Sequence, residues 1–194
     1  MRSIASRCLD RLLRRLPRVA ARACLLLLGA AALLPQAVAH AAAAPRVAVL
    51  RFDFYDTSID HRAALLGRQQ QWLRRLPRQF GRALRAAAPG VRIAGGPAWL
   101  RQERSMASDY EHPNTCGPCV VRAGRAAHAD YVLAGAVRKV SDLILYLQAR
   151  LVDPRTRTVV AQYLLEVKAD NGTMWRRAAQ HLARQVAHTL RGRR

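Results

Sequence analysis

The sequence lacks the motifs of the common enzyme classes. It has no Ser-His-Asp order, no phosphate-binding loop and no dinucleotide fingerprint. Its apolar run from Ala23 to Leu34 has 12 residues, whereas a membrane-spanning helix needs about 20. These absences argue against a hydrolase, a nucleotide-dependent enzyme and a protein that stays in the membrane.

Lysine and acidic residues are both scarce, while arginine is abundant. The chain has 33 lysines and arginines together against 12 acidic residues, and only Lys139 and Lys168 are lysines. A net charge of +21 raises the question of nucleic acid. We expect no nucleic acid partner, because the chain has no DNA- or RNA-binding motif and its Ala/Arg-rich composition indicates a compositional bias. A weak attraction to anionic surfaces, such as lipid or peptidoglycan, is consistent with the charge.

Residues 1–41 have the three parts of a bacterial signal peptide. Seven arginines precede the apolar run, and Ala39-His40-Ala41 has the small-x-small pattern of a cleavage site. We expect Sec-type export to the periplasm, with a mature protein that is not transmembrane. Residues 42–194 then form a single α/β domain of 153 residues, which is enough for its own core.

The periodicity of the mature chain predicts the order β-α-β-α-β-β-β-α. One buried strand covers 46–56, and an amphipathic helix follows to about residue 88, kinked or split at Pro77. Three strands with period-two alternation form a C-terminal antiparallel meander, in which Leu143 and Val159 are expected on the buried side. The fold class is therefore α/β (α+β), a mixed sheet with helices packed on it.

Three separated segments carry a family resemblance. "VAVLRFDFYDTS", "CGPC" and "ADYVLAGAVRKVSDLILYLQARLVDPRTRTVV" together resemble a family of small secreted proteobacterial proteins that is known only as a domain of unknown function. The last segment is also similar, more distantly, to the amino-terminal domain of TolB and to curli-secretion and penicillin-binding-protein-activator lipoproteins. The resemblance implies a compact module that contacts other envelope proteins, with a link to periplasmic quinoprotein alcohol dehydrogenase systems.

The two cysteines left after signal cleavage, Cys116 and Cys119, form a Cys-Gly-Pro-Cys motif. In an oxidising compartment we interpret the pair as a structural disulfide at the start of a helix. A redox dithiol is the alternative, because a helix N-terminus stabilises a thiolate. The motif lacks the tryptophan and the preceding buried strand of thioredoxins, with Thr115 at the tryptophan position.

Two further alternatives involve metal. His112, Cys116, Cys119 and His128 supply a Cys2His2 set, but their spacing fits no standard zinc module, and oxidation competes with thiolate ligation. Three carboxylates, Asp53, Asp56 and Asp60, cluster at the end of the first strand, closely enough in sequence to hold a cation. Turn and cap chemistry is the interpretation that we favour for those three residues, because such positions prefer these residue types. We therefore expect no resident cofactor or metal.

Two surfaces are candidates for function. The end of the first strand lies where open α/β sheets bind ligands, and its polar residues form a candidate functional edge: Asp53, Asp56, Thr57 and Ser58. Residues at steps of four and three on the last helix form a candidate basic docking stripe: Arg177, His181, Arg184, His188 and Arg191. A solvated face in an arginine-rich protein is the simpler interpretation of that stripe.

The sequence thus indicates a periplasmic, non-enzymatic accessory protein with an envelope protein as its partner. The rival hypothesis is a periplasmic thiol-disulfide oxidoreductase that uses Cys116 and Cys119. The two hypotheses differ in whether the cysteine pair cycles during function.

Overall fold

The structure, a computed structural model, describes residues 44–59 and 63–193. The predicted signal peptide and Asp60 lie outside these residues. Within them, no helix combines the length and apolar character that crossing a bilayer requires.

Six strands and four α-helices make up the described fold. In chain order they are β1 (Arg46–Val49), β2 (Asp53–Asp56), α1 (Ala63–Ala87), β3 (Arg92–Ile93), α2 (Pro97–Asp109), α3 (Gly117–Ala126), β4 (Tyr131–Lys139), β5 (Ile144–Asp153), β6 (Thr158–Lys168) and α4 (Gly172–Arg191). A 3-10 turn, Pro113–Thr115, joins α2 to α3.

The strands form one mixed sheet in the order β3-β1-β4-β5-β6, with β2 also paired to β4. Strands β1 and β2 run parallel to β4, and β3 runs parallel to β1. The β4-β5-β6 part is an antiparallel meander. The predicted element order and fold class are confirmed.

The segment predicted as one strand at 46–56 is two strands. Val49 is opposite Leu133 and Asp53 is opposite Ala136, so three residues of the first segment face two residues of β4. The extra residue breaks the ladder at Leu50–Phe52. Parallel pairing resumes in β2, which keeps both strands in one sheet.

Pro77 does not split the first long helix, contrary to one form of the prediction. Helix α1 continues through Pro77 from residue 63 to residue 87. Its buried face, which includes Leu73, Leu76 and Phe80, packs into the main core, and this burial offsets the hydrogen bond that a proline removes.

Helices cover the two sides of the sheet unequally. Helices α1 and α4 bury one side along β1, β4, β5 and β6 in the larger core cluster. Helices α2 and α3 cover the other side only around β1, the start of β4 and the end of β5, in a second cluster that contains Cys119 and Val120. No helix within residues 44–59 and 63–193 covers the rest of that second side.

The meander alternates as predicted, except at its ends. Leu145, Leu147 and Leu165 are buried under the helices. Val159 is 45% exposed because β6 shifts register between residues 159 and 161, which turns Val159 to the other side of the sheet. Leu143 precedes β5 and is 71% exposed. The predictions for these two residues are wrong.

Candidate functional site

The uncovered part of the second side of the sheet forms a concave surface. We call it the open face. A cavity of about 770 Å³ lies over it. The polar and larger side chains that line the open face are Asp53, Tyr55, Arg138, Gln148, Arg150, Gln162 and Leu164.

Strand register arranges these side chains in rows. One row runs from Asp53 through Ala136 and Gln148 to Leu164, across four strands. The next row contains Tyr55, Arg138, Tyr146 and Glu166. Neighbours in a row lie close enough for their side chains to interact. The open face therefore presents alternating aromatic, cationic, amide and apolar groups on a rigid support.

The amide of Asn114 anchors one wall of the open face. Its Nδ2 donates to the carbonyl oxygens of Arg51 at 2.6 Å and Gly135 at 2.8 Å, and to Asp53 Oδ1 at 3.1 Å. The backbone N–H of Asn114 donates to Asp53 Oδ2 at 3.0 Å, and its carbonyl oxygen accepts from Arg150. Asn114 is buried. One side chain thus joins the break between β1 and β2 to β4 and to the 3-10 turn.

Gly135 leaves room for the Phe52 ring and for close approach of β5. A Cβ atom at Gly135 would lie 2.5 Å from the Gln148 carbonyl oxygen and 2.6 Å from the Phe52 ring. A larger residue would therefore displace backbone or a buried ring. The glycine allows Phe52 to pack over β4 where the first segment is interrupted.

Asp53 is a buried carboxyl group with an altered pKa. Burial raises its pKa from 3.8 to about 6, although hydrogen bonds from Asn114 and the nearby charges of His112 and Arg150 act in the opposite direction. Tyr55 lies beside this group, and its ring centroid is 4.0 Å from that of His112. The open face thus holds a carboxyl group that takes up a proton near pH 6.

The structure divides the predicted functional edge. Asp53 and Thr57 line the open face. Asp56 is three positions from Asp53 on a strand and so faces the other side, where its Oδ2 is 3.6 Å from Lys139 Nζ. Ser58 hydrogen-bonds to Asp56 through its backbone N–H at 2.9 Å.

The residues around Asp56 hold the end of β2 against β4. Lys139 is fully buried and lies between Asp56 and Asp142, whose Oδ1 is 3.0 Å from its Nζ. The backbone N–H and hydroxyl of Thr57 both donate to the Lys139 carbonyl oxygen at 2.9 Å. A buried ion pair stays in place because removing one partner leaves an uncompensated charge. Asp56, Thr57 and Ser58 thus fix the end of β2 against β4.

The Cys116 and Cys119 sulfur atoms lie within disulfide-bonding distance. Cys119 is buried and Cys116 is half-buried. Cys116 is the N-cap of α3, and its Sγ accepts from the Cys119 N–H at 3.2 Å. The pair therefore begins α3, two residues after the Asn114 anchor.

The proposed four-residue metal set is not assembled. Among residues 44–59 and 63–193, no three His, Cys, Asp or Glu side chains are placed to hold a metal ion. His112 stacks on Tyr55, whereas His128 occupies a left-handed position, with φ 48°, in the turn after α3. The two sulfur atoms contact each other instead of serving as separate ligands.

The predicted docking stripe lies on the outer side of α4. All five side chains are exposed, while Trp175, Leu182 and Val186 on the opposite side of the helix are buried. The stripe consists of Arg177, His181, Arg184, His188 and Arg191.

A family model matches residues 45–186, which span β1 to most of α4. The chain belongs to the DUF3280 family, described as "Protein of unknown function (DUF2380)". This confirms the predicted membership of a domain-of-unknown-function family. No curated protein matches the sequence.

Several solved structures are similar in fold. The C-terminal domain of LpoB from Salmonella enterica is 12% identical, with 65% of this chain and 84% of that chain covered and a TM-score of 0.42. TolB from Acinetobacter baumannii is 16% identical over 77% of this chain and 29% of that one, with a TM-score of 0.43. Lipoprotein GNA1162 from Neisseria meningitidis is 16% identical over 75% and 99%, with a TM-score of 0.45.

Replacing Asp53 should change how stability depends on pH. Because the native pKa is about 6 and the ordinary value is 3.8, native DUF3280 protein binds more protons than the unfolded chain between these pH values. The unfolding free energy of the wild type, minus that of Asp53→Asn, should fall by about 3 kcal/mol from pH 3.5 to 7 and level off above.

Urea unfolding at several pH values measures this difference. Asp109→Asn, at an exposed position on α2, is the matched control and should give no such trend. A difference for Asp53→Asn that is flat or rises with pH would contradict the assignment.

Removing the cysteine pair should leave the fold intact. A Cys-x-x-Cys bridge closes a very short loop, so its effect on the unfolded chain is about 2 kcal/mol or less. Asn114 holds the preceding turn independently of the sulfur atoms. Cys116→Ala/Cys119→Ala should therefore melt cooperatively at a modestly lower temperature, close to the wild type in reductant. Global unfolding of this variant would show that the pair does more than fix the start of α3.

Proposed function

We propose that this DUF3280 protein is exported to the periplasm and acts as a non-enzymatic accessory module that binds another envelope protein through the open face. The observation that carries the proposal is a sheet side left half uncovered. Residues 1–41 support export by their signal-peptide pattern, and a bonded cysteine pair fits an oxidising compartment.

The chemistry of the open face suits a protein partner. Leu164 is 64% exposed on the edge strand β6, and the neighbouring row carries Tyr146, Arg138 and Tyr55 from β5 across to β2. Tyrosine and arginine are enriched at protein interfaces, and an exposed leucine beside them adds apolar area that a partner can bury. A flat, rigid sheet also binds without a large ordering cost.

A catalytic function of the open face is less well supported than a binding function. Burial raises the pKa of Asp53 to about 6, but both of its carboxyl oxygens accept hydrogen bonds from Asn114. General acid-base catalysis by Asp53 would require a free oxygen directed at a substrate.

The family resemblance implies an envelope complex or a periplasmic quinoprotein dehydrogenase system as the partner class.

The oxidoreductase alternative is favoured by one observation. Cys116 is half-buried at the N-terminus of α3, and Cys119 is buried behind it, which is the arrangement of an attacking and a resolving thiol. Arg122 also donates to Cys119 Sγ at 3.4 Å. In that function the partner would be held through sulfur and would not depend on the open face.

A photo-crosslinking amino acid placed at Gln148 in intact cells tests the proposal. The expected result is one discrete adduct, which disappears when Arg138→Glu is added and which excess unlabelled protein competes away. The same crosslinker at exposed Arg101, on α2, is the control and should give no such adduct.

Two outcomes would contradict the proposal. The first is a folded, exported protein that gives no adduct at Gln148 or at Gln162. The second is a reductant-sensitive adduct of Cys119→Ala that forms equally well with Arg138→Glu, because that result would identify the cysteine pair as the partner site.

A further inference from the structure

The α1 and α4 helices form a layer without acidic residues. Helix α1 contains six arginines and α4 contains four, and neither helix contains Asp or Glu. All ten arginines are exposed. We call this surface the cationic layer; its arginines are Arg68, Arg74, Arg75, Arg78, Arg82, Arg85, Arg176, Arg177, Arg184 and Arg191.

The two helices lie side by side and run in the same direction. Trp72 contacts Trp175 with ring centroids 5.8 Å apart, and further along both helices the Arg191 guanidinium donates to the Ala87 carbonyl oxygen at 3.3 Å. A groove of about 770 Å³ between them is lined by alanines, with Arg82 on one helix and Arg184 on the other. The basic stripe predicted on α4 is therefore half of a broader two-helix surface.

The charge of the cationic layer is not neutralised by nearby carboxylates. All ten acidic residues in 44–59 and 63–193 lie outside α1 and α4. Within the same residues, no carboxylate forms an ion pair with an arginine of the layer; the ion pairs there involve Arg51, His112 and Lys139. Helices on a solvated surface usually carry both signs of charge.

The outer side of the layer also lacks large apolar groups. The exposed large hydrophobic side chains of the described chain, such as Leu143 and Leu164, are all on strands, loops or α2. A helix that inserts into the interface of a bilayer needs Trp, Phe or Leu on its outer side. This surface is suited to electrostatic contact with an anionic surface and not to insertion.

We infer that the cationic layer docks flat on anionic phospholipid headgroups. A two-helix plane of guanidinium groups matches a plane of phosphates, whose oxygens accept paired N–H donors from arginine. Because α1 and α4 cover the side of the sheet opposite the open face, docking would direct the open face away from the bilayer. The lipid contact does not depend on the proposed protein partner. It would orient the open face, and with it that partner, relative to the bilayer.

Vesicle co-sedimentation tests the inference. The sample is the protein purified from cells that express the full sequence. We expect binding to vesicles that contain phosphatidylglycerol and none to pure phosphatidylcholine vesicles. Raising NaCl from 0.1 to 1 M should release the protein, because the screening length falls from about 10 to 3 Å.

The decisive variant is Arg78→Gln/Arg177→Gln/Arg184→Gln. Each arginine near an anionic surface contributes about a fivefold factor, so this triple variant should bind roughly a hundredfold more weakly. Glutamine is a good helix former, and thermal melts should show an unchanged fold.

The matched control removes the same charge elsewhere. Arg101→Gln/Arg104→Gln/Arg155→Gln, all exposed outside the layer, should bind within about twofold to threefold of the wild type. If both triple variants lost vesicle binding to the same extent, the binding would depend only on net charge, and the inference would be overturned. It would also be overturned by no vesicle binding at 0.1 M NaCl, or by binding to a 20-base-pair DNA duplex at least as tight as to the vesicles. None of these outcomes alters the crosslinking result at the open face.

Discussion

The amide of Asn114 joins the sheet to the segment that carries the cysteine pair. It contacts the carbonyl oxygens of Arg51 and Gly135 and the carboxyl group of Asp53. Arg51 lies in the break between β1 and β2, and Asp53 begins β2. Because buried polar groups cost free energy unless they are hydrogen-bonded, the interrupted strand depends on this one side chain. The shape of the open face depends on it in turn.

The two sides of the sheet carry two different kinds of surface. The α1 and α4 side buries the main core and turns ten arginines outward. The other side is covered by α2 and α3 only as far as the Asn114 turn, and beyond it the strands are open. A rigid sheet that separates a charged layer from a polar and aromatic face is well suited to holding one macromolecule near another.

The periodicity of apolar residues in the sequence was sufficient to predict much of this fold. The period of two in the meander and the period of 3.6 in α1 and α4 report which side of each element is buried, because a single core lies beneath them. The exposed stripe on α4, including Arg177 and Arg184, followed from the same rule. Local pattern could not reveal the break after Val49, because every residue of "RVAVLRFDFYD" favours a strand.

The candidate site was harder to predict because long-range contacts create it. The hydrogen-bond partners of Asn114 are 21 to 63 residues away, beyond the range of a local pattern. Asp53 and Asp56 share a short polar segment but face opposite sides of the sheet. Lys139 is buried although lysine is usually exposed, and its partner Asp56 is 83 positions away in the sequence, beyond the range of local patterns. A polar residue beside the Cys-Gly-Pro-Cys motif was the available signal for Asn114.

The stability of Asn114→Ala, compared with that of Asn171→Ala, tests the central role of this amide most directly. Asn171 caps α4 through hydrogen bonds to two backbone N–H groups, so its replacement should cost about 1 kcal/mol. Asn114→Ala leaves several buried acceptors unpaired, so it should cost on the order of 3 kcal/mol or more and speed hydrogen exchange at residues 50–55 and 113–120. An Asn114→Ala protein no less stable than Asn171→Ala, with unchanged exchange in those two segments, would contradict the account.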